Sequence, residues 1–516
     1  MLILGKKINF RAVFWIIFFF FVFGLLLRNS LSYLDPDLGW HLKVGQEISA
    51  SAQVPHLNIY NYTFTGNWVD HEWLSNLISF QIYNYFNYFY LNIFFALVIV
   101  VSLLIIFLVG RKKYPGAPDW LWATLILFGL IASLPHFGVR MQEFGFLFLA
   151  FELWIISAYS RKRKWPLLFL FLPLFYLWAN MHASFLIGLV LLFAWPWSQL
   201  LIKRLNWKNL FVYSGLGVLA FGLTFLTPYR SELYSFLSGY RHTFYMGVIQ
   251  EWAPQFYFPL NYWQLLFLSL TLLVFGLYLY QIYRQQKGKI KLWEFSLLVL
   301  FIILSFRSRR HFPLLVVVAL PFLADALTSL LDLEQAKFIF KQNILKYLIW
   351  LTLILATLAQ FIAIRPVNNP FSHYCEKFPC RATLFLKNNE QYNNYRLFND
   401  YNWGGYLIWQ IPERKLFIDG RLPQADFSGK TLIEEYLSFY EPKADLSAKL
   451  NQYDIKLVLI KTHDDRLKFK KWEQIIFRLK ENQNETPNYL RTYLESSPEW
   501  QKIYRDPFAS IYLKKD

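Results

Sequence analysis

The chain is poor in charge and almost free of cysteine. Charged residues make up 17% of its 516 positions, short of the roughly one quarter that a soluble globular chain carries. Two cysteines and four methionines occur. Two thiols are too few for a closed zinc site or a disulfide-built scaffold. Four catalytic signatures are missing: the P-loop, Gly-x-Gly-x-x-Gly, Gly-x-Ser-x-Gly and His-Glu-x-x-His. Readings as an ATPase, a Rossmann oxidoreductase, a serine hydrolase or a zincin therefore have no motif behind them. Internal repeats and low-complexity tracts are lacking as well.

What is present is apolar. Hydrophobic residues are 56% of the chain and aromatic residues 20%. They gather in nearly uncharged blocks such as 14–27, 91–109 and 348–364, each about as long as a bilayer crossing requires. These blocks exclude a soluble cytosolic enzyme, a secreted disulfide miniprotein and a disordered chain. The net charge of +18 invites a nucleic-acid reading, but its distribution does not support one. Residues 1–364 hold 28 Lys/Arg against 14 Asp/Glu, net +14, and residues 365–516 hold 24 against 20, net +4. The excess lies where short basic loops set membrane topology. No basic run with interleaved aromatics offers a nucleic-acid surface.

The pattern predicts an α-helical polytopic membrane protein with about 11 transmembrane helices and a C-terminal extracytoplasmic α/β domain. The spans fall near 12–28, 89–109, 119–135, 142–159, 166–179, 183–201, 209–227, 263–283, 292–306, 312–331 and 345–364. Lys6, Lys7 and Arg11 put the N-terminus in the cytoplasm. Arg111-Lys112-Lys113, Arg161-Lys162-Arg163-Lys164, Lys203-Arg204 and the set Arg284, Lys287, Lys289 and Lys291 mark later cytoplasmic turns. An odd number of spans leaves residues 365–516 outside. The two domains are then 1–364, with an external loop at 29–88, and 365–516. Within the tail, strands are expected at 395–399, 415–418, 455–460, 501–505 and 510–513, with helices near 430–440, 444–452, 469–480 and 487–496. Alternation of this kind favours a layered α/β domain. Cys375 and Cys380 follow the last span on the oxidising side, where they can form a disulfide.

Three external segments carry chemistry. The first loop opens Leu34-Asp35-Pro36-Asp37-Leu38-Gly39-Trp40-His41-Leu42 and later reads Asn67-Trp68-Val69-Asp70-His71-Glu72-Trp73-Leu74. Asp35 and Asp37 can supply a general base or bind a hard divalent ion through oxygen. His41 and Glu72 could complete a metal set with Asp37. The bland alternative has these carboxylates capping short helices on the membrane surface. Second, Arg307, Arg309 and Arg310 sit at a junction placed outside, against the positive-inside rule. Guanidinium groups recognise phosphate through paired hydrogen bonds, so a lipid phosphate site explains the exception, with Arg140, Arg230 and Arg241 on the same face. The alternative is pairing with external carboxylates. Third, Glu251 stands beside Trp252 in an external loop and suits sugar binding or metal coordination. Asn180 and His182, at a tight external turn, read more readily as helix–helix hydrogen bonding. In the tail, Gly404-Gly405 allows a tight turn or close backbone approach, and Asp419-Gly420-Arg421 reads either as turn chemistry or as a strand-end site.

A first helix, an external loop with an acidic pair, many spans and an external tail domain resemble the GT-C superfamily of membrane glycosyltransferases. The chain is more closely similar to a bacterial GT-C-like group. That group shares Asp-x-Asp-x-x-Trp-His-Leu, here at 35–42, and Trp-x-x-His-Glu-Trp-Leu, here at 68–74. It also shares Trp-Gly-Gly-Tyr-Leu at 403–407 and Phe-Ile-Asp-Gly-Arg at 417–421. The resemblance implies inverting transfer of a sugar from a polyprenyl-phosphate-linked donor to a glycan, lipid or protein acceptor on the outer face of a bacterial plasma membrane. Asp35 or Asp37 would be the base, often with a divalent cation such as Mg or Mn. Pro36 splits the acidic pair, which is adjacent in several superfamily members, and leaves the base open between the two. His41, Glu72, Glu251, Arg307, Arg309 and Arg310 are the expected substrate-binding residues. A transporter or flippase for a lipid-linked anion is the competing class.

Overall fold

The computed structural model describes residues 2–515 apart from 4–5, 8, 163, 204, 240–243, 286–291, 331–342, 428, 464–468 and 480–487. Arg163, Arg204, Arg241, Lys287, Lys289 and Lys291 lie outside the described residues.

Each of the expected spans is a helix. Among the described residues, six are long and apolar enough to cross a membrane: Phe10–Ser30, Trp73–Lys113, Asp119–His136, Glu143–Lys162, Tyr262–Arg284 and Arg309–Leu330. Trp165–Met181, Phe185–Leu201 and Tyr347–Ala363 are shorter apolar helices. Trp207–Leu223 and Leu292–Arg307 complete the set. The chain is a multi-pass membrane protein.

The first loop is shorter than its expected 29–88, because helix begins at Trp73 and not near 89. Asn87 breaks that long helix with a positive φ of 74°, a region in which Asn is less disfavoured than most side chains. Its side-chain oxygen accepts from the Phe89 amide at 2.9 Å. The neighbouring Tyr88 amide donates to the Asn368 carbonyl at 3.2 Å. The part after the break is the expected span. Helices pack closely where a small residue meets a large one. A Cβ on Gly110 would lie 2.2 Å from the Trp122 ring, and one on Gly188 would lie 2.5 Å from Trp178. Close backbone approach of this kind drives association in lipid, where burial of apolar surface supplies little.

The tail holds a four-stranded mixed sheet. Its spatial order is Arg396–Asn399, Ile455–Lys461, Ala509–Lys514, Trp500–Arg505. The first pair is parallel and the others antiparallel. Ile455–Lys461 is central, and five of its seven residues are buried, as expected for a strand covered on both faces. Helices Leu432–Leu437, Leu446–Gln452, Lys471–Phe477 and Tyr489–Ser496 fall where helix is expected. The expected strand at 415–418 is reduced to single bridges from Leu416 to Asn61 and to Leu397. Of the two uses expected for Gly404-Gly405, the turn is not found, since the pair opens the helix Gly404–Gln410, and the close backbone approach is. Cys375 and Cys380 are joined in a disulfide.

Candidate functional site

The junctions expected on one side of the membrane meet at one end of the bundle. Segments near 35–41, 68–72, 135–146, 182–187, 249–263 and 309–314 surround a cavity of about 1030 Å³, which Tyr401, Asn402, Gly420, Arg421 and Lys470 of the tail also line.

Asp35 and Asp37 enter this cavity in different states. Asp35 is buried, accepts from the Asp37 amide at 2.9 Å and is ion-paired with Arg140 Nε at 2.6 Å. Asp37 is the N-cap residue of the helix Leu38–Ser51, yet its side chain makes no capping hydrogen bond. Among the described residues it has no ion-pair partner. The reading of both carboxylates as helix caps therefore fails for Asp37. Burial, and then the nearby Asp35 and Glu251 charges, push the Asp37 carboxyl up to about 7. Desolvation disfavours a carboxylate, and a like charge beside it adds to the effect.

Charge continues from Asp35 as a chain. Arg140 Nη1 donates to Glu251 Oε2 at 2.7 Å, and Arg310 Nη1 donates to Glu251 Oε1 at 3.0 Å. Burial pushes Glu251 up, but Arg310 and Arg140 outweigh it and hold its carboxyl down at about 2. Arg310 also lies over the Trp252 ring at 4.5 Å. Arg309 is buried beside it and donates to the Tyr257 carbonyl. Arg309 and Arg310 both line the cavity, whereas Arg307 is exposed and is not part of its wall. Arg307 ends a helix and its neighbours form a 3-10 turn, so adjacency in sequence does not carry over to adjacency in space.

The segment 68–74 supplies a second polar cluster, built outward from Asp70. Asp70 accepts from the Glu72 amide at 3.0 Å and from Asn76 Nδ2 at 2.8 Å. The second contact orients the Asn76 amide, so its Oδ1 accepts from His41 Nδ1 at 2.6 Å. His41 Nε2 is thereby left as an acceptor, 3.9 Å from Glu72. The Ser184 amide donates to His182 Nδ1 at 3.0 Å, so His182 Nε2 carries a hydrogen and faces Glu72 at 3.3 Å. His71 Nε2 lies 3.7 Å from Glu72. Burial pushes the Glu72 carboxyl up to about 8 and the Asp70 carboxyl up to about 6. It pushes His41 and His71 down to about 3. Near neutral pH Glu72 therefore keeps its proton and His41 and His71 are neutral, while Asp70 is mostly ionised. Among the described residues no group of three or more His, Cys, Asp or Glu side chains is arranged to hold a metal ion. Asp37, His41 and Glu72 all reach the cavity but do not form such a group.

The tail motifs meet the acidic loop backbone to backbone. A Cβ on Gly39 would lie 2.1 Å from the Gly405 carbonyl oxygen, and one on Gly405 would lie 2.3 Å from that of Pro36. A Cβ on Gly420 would lie 2.1 Å from Asp37 Oδ1. Arg421 holds this seam closed. Its guanidinium lies between the Tyr60 and Trp68 rings, 4.5 Å from each. It also donates to Asp419, Asn58 and Asn61 at 2.8–3.0 Å.

The sequence offers Asp35, Asp37, His41, Glu72, Glu251, Arg307, Arg309 and Arg310 as candidates on one face without showing that they meet; the structure brings all of them but Arg307 to one cavity, where Arg140 joins them. The sequence reading undervalues His71 and His182. Trp73 Nε1 donates to Asn180 at 2.9 Å and Ser75 Oγ to the Met181 carbonyl at 2.7 Å. These bonds confirm the helix-to-helix role of Asn180 and bring His182 to Glu72. His136 and Lys470 also line the cavity, and no sequence pattern marks either.

No protein-family model and no curated protein matches the sequence. Solved structures do. All three described here are of the Archaeoglobus fulgidus oligosaccharyltransferase. One, tethered with an acceptor peptide containing the NVT sequon, is 11% identical with a TM-score of 0.54, over 87% of this chain and 69% of that one. Another, of AglB with an inhibitory peptide and a dolichol-phosphate, is 11% identical with a TM-score of 0.52, over 87% and 70%. A third, in complex with Zn and sulfate, is 13% identical with a TM-score of 0.51, over 86% and 68%. At these identities the likeness speaks to architecture alone, and the chain shares the fold of that oligosaccharyltransferase.

Proposed function

We propose that the protein is an inverting membrane glycosyltransferase. It moves a sugar from a polyprenyl-phosphate-linked donor to an acceptor nucleophile on the outer side of a bacterial plasma membrane, the side to which the tail belongs. One observation carries the reading: among the described residues Asp37 has no ion-pair partner, its pKa is raised, and it shares a cavity with Arg309 and Arg310. The dolichol-phosphate and acceptor peptide bound by the oligosaccharyltransferase of the same fold support this choice of substrates.

In this reading the acceptor hydroxyl or amide attacks the anomeric carbon from the face opposite the phosphate. Asp37 takes the acceptor proton, and its pKa near 7 suits a general base at neutral pH. The bond from anomeric carbon to phosphate oxygen breaks, and the lipid phosphate leaves with an added negative charge. Arg310, supported by Arg309, stabilises that charge as it develops. Glu251 keeps Arg310 aimed and partly neutralised, so the phosphate does not meet an isolated buried cation. Asp35 is spent on Arg140 and holds the turn. His41, Glu72 and His71 line the acceptor side as neutral hydrogen-bonding groups. No step here runs through a metal ion.

The test uses full-length protein with a polyprenyl-phosphate sugar and follows release of polyprenyl phosphate. Asp37→Asn is expected to lower turnover by about 10²–10⁴-fold while the variant is still stabilised against heat by polyprenyl phosphate. Arg309→Ala/Arg310→Ala is expected to lose that stabilisation. Full turnover by Asp37→Asn would remove Asp37 as base. Donor crossing a sealed vesicle intact, with no release of lipid phosphate, would favour a flippase.

A further inference from the structure

The tail carries an apolar surface that its own fold does not explain. In the helix Lys471–Phe477, Trp472 is 42% exposed, Ile475 77%, Ile476 65% and Phe477 48%. Isolated exposed apolar residues are ordinary, but a run of this size on a water-facing domain marks an interaction site.

The helix stands at the rim of the bundle. The Trp472 ring lies 5.1 Å from that of Tyr262, and the Lys470 ammonium lies 4.2 Å from it. Tyr262 donates its hydroxyl to Glu473. The Phe258 ring meets Phe469 and Phe477 at 5.5 Å each. Tyr262 is the first residue of a membrane-crossing helix, so a helix stacked on it sits at the depth of the lipid headgroups. Phe256, Tyr257 and Trp263, from the loop and span it packs against, are more than half exposed or nearly so.

Charge fits the same depth. Lys470, Lys471 and Arg478 flank the helix and are exposed, while its one acid, Glu473, is buried against Tyr262. Aromatic and apolar residues bounded by exposed cations are the composition of a helix lying in a bilayer interface, and Trp and Lys are its usual anchors.

We propose that the Lys471–Phe477 helix is immersed in the lipid leaflet at the cavity end of the bundle, with Ile475, Ile476 and Phe477 among acyl chains and Lys470, Lys471 and Arg478 at lipid phosphates. Lys470, the residue before the helix, also lines the cavity, so the helix starts at the cavity's edge. The inference rests on the membrane architecture and not on the chemistry of the cavity.

The two native cysteines are bridged and no free cysteine is described, so an introduced thiol can be labelled selectively. Full-length Ile475→Cys and, separately, Ile476→Cys are given a nitroxide in phosphatidylglycerol-containing nanodiscs. Collision with oxygen, which concentrates in lipid, is compared with collision with a water-soluble nickel chelate. Leu273→Cys on the exposed face of a span and Glu499→Cys on the tail surface set the two limits. Both helix labels are expected to favour oxygen severalfold over the Glu499 label and to approach the Leu273 label. Nickel access equal to that of Glu499 would overturn the proposal by placing the helix in water. Shielding from both reagents would overturn it in favour of a covering protein, whether a second copy or another partner.

Discussion

Two short segments of this protein look alike and behave oppositely. Asp35-Pro36-Asp37 and Asp419-Gly420-Arg421 each set charged residues two positions apart around a conformationally special residue. They face one another, with Gly420 against the Asp37 carboxylate. In the tail segment every charge is spent: Asp419 and Arg421 pair at 2.8 Å, and Arg421 is further held by two asparagines and two rings. In the loop segment Asp35 is spent on Arg140 and Asp37 is not. What differs between the two segments is the number of charged partners.

The largest effect should come from the unspent charge. Asp37→Asn is expected to lower transfer by about 10²–10⁴-fold, whereas Asp35→Asn, read by the same lipid-phosphate release, should lose less and should unfold more easily. The tail segment should answer in stability. Arg421→Met removes one half of a buried pair and is expected to cost about 3–5 kcal/mol, seen as a lower midpoint in thermal unfolding of the full chain. The contact between the segments comes next. Gly420→Ala leaves Asp419–Arg421 in place but drives a methyl into Asp37, so turnover should fall by roughly tenfold or more. Binding of polyprenyl phosphate, measured by thermal stabilisation, should be kept.

The smallest effect is a matter of pH, and its sign is fixed. Asp37 is raised from about 3.8 to about 7, so the folded protein binds its proton more tightly than the unfolded chain does. Its ionised form therefore costs stability as pH rises between those values. Asp37→Asn should melt above the native protein at pH 8, and the gap should close towards pH 4. Turnover by the native protein should rise with pH to a plateau above about 7. A flat profile from pH 5 to 8 would show that the base is another group.

The sequence reveals the helices because lipid leaves few choices. A long apolar stretch in hydrocarbon must satisfy its own backbone, and a helix does so locally. The acidic pair is legible for the same reason, since carboxylates beside a membrane are costly unless they have a use. What each carboxylate touches is not legible. Arg140, which pairs with Asp35 and not with Asp37, arrives from another helix junction. Arg307 is misread because a helix end and a 3-10 turn send neighbouring arginines apart. Gly404-Gly405 reads equally as a tight turn or as a place of close backbone approach, because a glycine needed for φ and one needed for closeness look the same, and only the close approach is found. Leu416 reads as strand, yet single bridges to Asn61 and Leu397 are all it makes.

The seam of glycines has a consequence for how the chain can vary. Gly39, Gly405 and Gly420 leave no room for a methyl group at the meeting of loop and tail. Neither side can accept a bulkier residue unless the other yields. A tail borrowed from a distant relative would fit this membrane half only if it brought its own glycines in register. Segments far apart in the chain are thus bound to a shared inheritance, and recombination between them should be rarer than the length of sequence separating them would allow.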